Sequence, residues 1–143
     1  MLKKKLVKWL KENEDKLLPE YQQKYKNFLI EQGFEENSSF VEFMFQYSDE
    51  IYGSEGHLFD VVGDLMDNTE TGVNYQLHVI DKVPANYISL TDDITEAYLL
   101  YNKDNDSVVL VEGANLQRLL NNDFDEQWDN FNDFLIDFLD IED

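Results

Sequence analysis

The chain has 143 residues, 43% of them hydrophobic and 14% aromatic, with 11 Lys and Arg against 31 Asp and Glu, a formal charge of −20 and no cysteine. This length suits one domain able to bury roughly two-thirds of its unfolded surface, and the aromatic content separates it from acidic disordered chains. Disulfides and thiolate metal sites are excluded, and so acidic a field opposes nucleic acids and anionic membranes.

Leu2, Leu6, Trp9 and Leu10 recur at helical spacing among Lys3, Lys4, Lys5, Lys8 and Lys11, which predicts a short amphipathic helix. A packed terminal helix is expected rather than a membrane-surface anchor, because the acidic remainder would be repelled by an anionic surface. No apolar run follows the basic start at signal-peptide length, and none approaches the roughly 20 residues of a span. A soluble cytoplasmic protein is therefore expected.

Pro19 suits the first turn of a second helix, with Tyr21, Tyr25, Phe28, Leu29 and Gln32 on one face and Gly33 as its C-terminal glycine. Ser39 and Glu42 fit a capping box opening a third helix, in which Phe40, Phe43, Met44 and Tyr47 share a face. Val41, Phe43, Phe45 and Tyr47 also alternate, so residues 40–47 read as helix or strand. Tyr52 to His57 is loop-like, Leu58 to Val62 fits either state, and Asp67 to Gly72 is a polar turn region. Tyr87–Leu90, Ala97–Tyr101 and Ser107–Val111 read as strands. Asn102 to Asp106 carries hairpin chemistry between the last two. Leu116, Leu119 and Leu120 form a short apolar segment. Phe124, Trp128, Phe131, Leu135 and Phe138 predict a closing helix, with Asp125, Asp129, Asp133 and Asp137 stacked away from that stripe. Its last turn, with Asp137, Asp140, Glu142 and Asp143, has the wrong sign for the helix dipole.

Catalytic chemistry finds little support. His57 and His78 lack a nearby nucleophile pattern and read as surface or half-buried residues, and carboxylate pairs are too numerous to be informative. No glycine-rich phosphate cradle is present. Asp67 to Gly72 begins like an EF-hand loop, but position twelve is His78 where a bidentate Glu is needed. No cofactor or metal is expected. Charge is the informative feature. Eight lysines fall within residues 3–26 beside four acids, whereas from Asn27 onward Lys82, Lys103 and Arg118 face 27 carboxylates, giving +4 and −24. Self-repulsion of that size opposes compaction, and the field draws in basic partners.

Pro84 to Asp93, with its proline-led strand and acidic turn, Glu96 to Tyr101 with Ser107 to Val111, and Phe131-Asn-Asp-Phe-Leu135 occur in an order that resembles the SUKH superfamily of bacterial toxin-immunity proteins. Helices joined around Gly33 and leading to Tyr52-Gly53 fit its N-terminal part. The family commonly has Leu-Pro before its glycine-rich loop; here Leu18-Pro19 opens the earlier helix and Asn37-Ser-Ser39 the later one. The resemblance implies a single α+β domain over residues 1–143, an antiparallel sheet flanked by N-terminal helices and a closing C-terminal helix. It also implies a non-enzymatic protein that binds a cognate toxin domain, often a nuclease. An inhibitor dense in carboxylates suits such a target, because a nuclease presents cations to phosphate.

Contact residues are expected at Asp92 and Asp93 in the acidic turn, Asp104 and Asp106 at the hairpin tip, and Asp125, Asp129 and Asp133 in the closing row, with Tyr98 or Tyr101 as aromatic anchor. For each aspartate, plain solvation is the competing reading. An intracellular scaffold or regulatory interaction module is the alternative function, and a two-carboxylate hydrolase a third. Neither the oligomeric state nor the identity of a toxin is legible.

Overall fold

The computed structural model describes residues 1–54 and 56–142; expectations touching Glu55 and Asp143 fall outside the described residues. The architecture is α+β. The elements run α1 (Lys4–Asn13), α2 (Pro19–Glu31), α3 (Ser39–Tyr47), β1 (Ile51–Gly53), β2 (Gly56–Leu58), α4 (Val61–Asp67) and α5 (Val73–Tyr75), which widens into a π-turn at Gln76–Ile80. There follow β3 (Tyr87–Ser89), β4 (Ala97–Asn102), β5 (Ser107–Glu112), α6 (Leu116–Leu120), β6 (Glu126–Trp128) and α7 (Phe131–Phe138). Strands β3-β4-β5-β6 form one antiparallel sheet in sequence order, and β1-β2 form a separate hairpin.

Both faces of the sheet are covered. Successive strand residues point to opposite faces, so Leu99, Tyr101, Val108, Leu110 and Trp128 join Ile88 in a core built with α1, α2, α3, α4 and α7. Tyr98, Leu100, Val109 and Val111 join Leu77, Val83, Ile94 and Leu119 in a second cluster behind the sheet. This is why β4 and β5 are almost continuously apolar rather than alternating. In the larger core Phe40 stacks on Tyr101 with centroids 4.0 Å apart, and Phe131 meets Phe40, Phe43 and Tyr101 edge-on.

Residues 39–47 are helix, which resolves the helix-or-strand ambiguity. The cap is Ser38, whose hydroxyl accepts from the Val41 amide, one residue earlier than the expected Ser39 box. Glu42 accepts instead from the Leu2 amide at 2.6 Å and ties the N-terminus onto α3. Pro19 opens α2, and Gly33 follows it with φ +90°, as expected. Residues 58–62 divide: Leu58 ends β2 and Asp60 caps α4. At Gly53 a Cβ would lie 2.4 Å from the Phe138 ring, so the β1–β2 hairpin rests on the end of α7 only because this residue has no side chain.

The closing helix is shorter than the apolar spacing predicts. Residues 124–130 are not helical; the chain forms β6 and α7 begins only at Phe131. Trp128 pairs with Val108 across the sheet, packs edge-on against Phe134 and donates Nε1–H to Asp137 at 2.9 Å. Asn130 then caps α7, its side chain accepting from the Asp133 amide at 2.8 Å. The apolar stripe thus survives a break in the backbone, while Asp125 and Asp129 escape the like-charge stacking a continuous helix would impose. Leu6 and Leu10 of α1 are buried, as is Leu2 just before it, so the helix is packed. Lys3 lies 3.4 Å from Asp133, and Lys5 and Lys8 border the same cleft as Asp140 and Glu142. Lys5 and Lys8 of α1 therefore offset acids at the negative end of the α7 dipole, whereas Asp133, in the first turn, lies at its positive end. Among the described residues, no helix is long and apolar enough to cross a membrane.

Candidate partner interface

The nine residues singled out from sequence separate into three groups. Tyr98 and Tyr101 are 3% and 4% exposed and belong to the two cores, which removes them as surface anchors. The Tyr101 hydroxyl donates to Asp106 at 2.7 Å; burial, reinforced by this bond, pushes its pKa far above the ordinary tyrosine value.

Asp106, Asp125 and Asp133 hold the fold together. Besides Tyr101, Asp106 accepts from the Phe131 amide at 3.4 Å, bracing the hairpin tip against the start of α7. Asp125 receives two bonds of 3.1 Å from Arg118 and one of 2.7 Å from the Glu112 amide. The guanidinium first, and that amide second, lower its pKa below the usual carboxylate range. Asp133 contacts Lys3 and accepts from Asn130 Nδ2 at 3.1 Å.

Asp92, Asp93, Asp104 and Asp129 are exposed. They do not form one patch: Asp92 and Asp93 adjoin the Ala97 end of β4, whereas Asp104 and Asp129 adjoin the Asn102 end. Those ends lie roughly 17 Å apart at ~3.4 Å per residue.

What the structure gathers around Asp92 is a groove of about 750 Å³ between α2 and α4, carrying Asp60, Asp64, Asp67 and Asp92 with Tyr21, Tyr25 and one lysine, Lys24. Its floor is rigid. Asp60 caps α4 through the Gly63 amide at 2.9 Å and accepts from the Ser48 and Tyr25 hydroxyls, each at 2.8 Å. Burial and the Asp60 hydrogen bond raise the Tyr25 pKa well above normal. Asp64 accepts from the Val73 amide and from both nitrogens of Asn74, at 2.8 to 3.0 Å. These bonds fix both carboxylates in place along the groove.

At the rim, Asp92 accepts from or pairs with His57 Nε2 at 2.9 Å, and the His57 ring lies 5.7 Å from that of its cross-strand neighbour Tyr52. Tyr52 is 72% exposed and donates its hydroxyl to Glu50. That bond is the largest cause of its raised pKa. The structure thus holds an exposed aromatic ring beside Glu50 and Asp92, whereas the two tyrosines of β4 are buried. The sequence signal was present in Tyr52-Gly53 and Gly56-His57, glycine-punctuated pieces that pair as β1 and β2 and hold one ring outward.

The other histidine, His78, is half-buried and bonds the Tyr87 carbonyl through Nε2 at 2.6 Å. A carbonyl only accepts, so this nitrogen carries the proton. Among the described residues, no group of three or more His, Asp or Glu is arranged to hold a metal ion. Comparisons with protein-family models, curated proteins and solved structures find no match to the chain.

Proposed function

We propose that this chain is a non-enzymatic, cytoplasmic immunity protein of the SUKH type, which binds a basic toxin domain and covers its active surface. A nuclease fits the charge best. The observation that carries the reading is the excess of 27 carboxylates over three cations from Asn27 onward, with exposed acids flanking an outward aromatic at Tyr52. A cationic nuclease surface would be drawn to the groove and its Asp92 rim from a distance, and Tyr52 would supply apolar contact area once the surfaces meet. The α+β architecture is the one that the resemblance implies, and it supports the reading.

The test is capture of partners from the native host with tagged protein, at low and high salt, identified by mass spectrometry. One stoichiometric basic partner, whose association slows steeply with ionic strength, is the expected result. Several weak partners without a dominant one would favour a scaffold. A blank when candidate toxins are expressed would overturn the immunity reading.

A further inference from the structure

The central sheet ends in two edges, and they are treated in opposite ways. On β3 three of the four outward groups are satisfied: the Tyr87 amide donates to the Pro84 carbonyl at 3.1 Å, the Tyr87 carbonyl accepts from His78 at 2.6 Å, and the Ser89 amide donates to the Asn74 side chain at 2.8 Å. Two side chains four residues apart along α5 and its π-turn thus stand in for a neighbouring strand.

On β6, among the described residues, nothing plays that role. Leu90 bonds to Leu99 and Lys103 to Asn86, so odd-numbered residues of β4 face β3 and even-numbered ones face β5. By the alternation of an antiparallel ladder, Val108 and Leu110 face β6, and their partners Trp128 and Glu126 face back. The amide and carbonyl of Gln127 therefore point away from the sheet. Among the described residues no hydrogen bond reaches either.

We infer that β6 is a docking edge for an extended, lysine- or arginine-bearing strand of the partner, paired through the backbone of Gln127. The inference rests on the basic-partner reading and adds how such a partner is held. Asp123, Asp125, Glu126 and Asp129 flank the edge, and Arg118, the cation beside them, pairs with Asp123 and Asp125. Charges on an edge strand ordinarily block edge-to-edge pairing. Here all the flanking acids share one sign, which repels a second copy of this chain and admits a cationic strand. The partner residue opposite Gln127 would project on the same face as the Gln127 side chain. There a cleft of about 240 Å³ is lined by Asn102 and Asn105, whose side-chain oxygens already accept from Asn86, Asp104 and Ser107, and by Asn122, whose amide oxygen can accept from an ammonium or guanidinium. Backbone pairing would give affinity and this cleft would select the side chain, the division of labour in strand addition.

The experiment is an NMR titration of the labelled full chain, at low salt, with a synthetic peptide of alternating Lys and Thr. Its counterparts are an alternating Glu and Thr peptide and a Lys–Thr peptide N-methylated at alternate amides. The inference expects the largest shift and at least ~10-fold slower hydrogen exchange at the Gln127 amide, because a hydrogen-bonded amide must open before it exchanges. It also expects at least ~10-fold weaker binding after N-methylation, and no binding of the glutamate peptide. Gln127→Pro, tolerated on an edge whose N–H faces solvent, should abolish binding with an unchanged melt. If that variant fails to fold, the N-methylated peptide decides. Lysine-peptide binding that shifts the α2–α4 groove and ignores N-methylation would overturn the edge and leave the basic-partner reading intact. No lysine-peptide binding anywhere on the protein would overturn both.

Discussion

Asp60 and Asp64, four residues apart at the start of α4, are each held by three donors, drawn from Tyr25, Ser48 and Gly63 for one and from Val73 and Asn74 for the other. Asp104 and Asp129, at the far end of the sheet, offer their side chains to water, and among the described residues neither carboxylate is bonded to another side chain. The first pair joins segments distant in sequence; the second joins nothing within the molecule. The net charge therefore overstates what is available to a partner, because part of it is mortar. The carboxylates that the fold does not use are the ones whose presence calls for an external cause.

The sharpest way to break this comparison is truncation on both sides of it. Asp60→Ala removes the α4 cap and strands the Ser48 and Tyr25 hydroxyls, and should cost about 3 kcal/mol in urea unfolding. Asp104→Ala should stay within about 0.5 kcal/mol. Equal losses would erase the distinction. Asn74→Leu should cost about 2 kcal/mol by unpairing the buried Ser89 amide, and should promote concentration-dependent aggregation by opening the β3 edge, readable by light scattering. Neutralising Asp92, Asp93, Asp104 and Asp129 together to Asn should leave the melt unchanged or raised. The same variant should slow association with a basic partner about tenfold at low salt, an effect that high salt removes.

The smallest effects concern pH, and two groups give opposite signs. Arg118 and the Glu112 amide lower the folded pKa of Asp125 below its ordinary 3.8. Its contribution is present above that ordinary value and lost as pH falls through the lowered one, so Asp125→Asn should soften the acid limb of the stability profile. Glu14 is raised above 4.5, by burial first and then by Asp15 and Asp49. Its favourable contribution exists below the ordinary value and disappears as pH rises through the folded one. Glu14→Gln should thus stabilise slightly at neutral pH, with the gain vanishing in acid. A chemical melt at pH 3 and pH 7 reads both.

Where local chemistry decides structure, the sequence was legible. Pro19 and Gly33 bracket α2, and Asn102 to Asp106 turn the β4–β5 hairpin, with Asp106 at φ +65°. Where a distant surface decides, it was not. Residues 126–128 have helical spacing, yet β5 recruits them as a strand. Tyr98 and Tyr101 read as candidate anchors until Tyr98 is seen in the cluster behind the sheet with Leu77 and Leu119, and Tyr101 against Phe40 of α3 and Phe131 of α7. The groove draws on residues from Tyr21 to Asp92, and no window of sequence holds it.

The stitching of the N-terminus has a consequence in time. The Lys3 amide bonds Asn132 Oδ1 at 3.0 Å, and Asn132 Nδ2 bonds the Met1 carbonyl at 3.0 Å, so α1 is seated against α7 across almost the whole chain. A ribosome delivers these two segments roughly ten seconds apart at ordinary elongation rates. During that interval Leu6 and Leu10 have no α7 to pack on, and the lysines around them ride on a nascent polymer whose later acids have yet to emerge. The native seating of α1 thus waits on translation of α7, however readily α1 coils by itself.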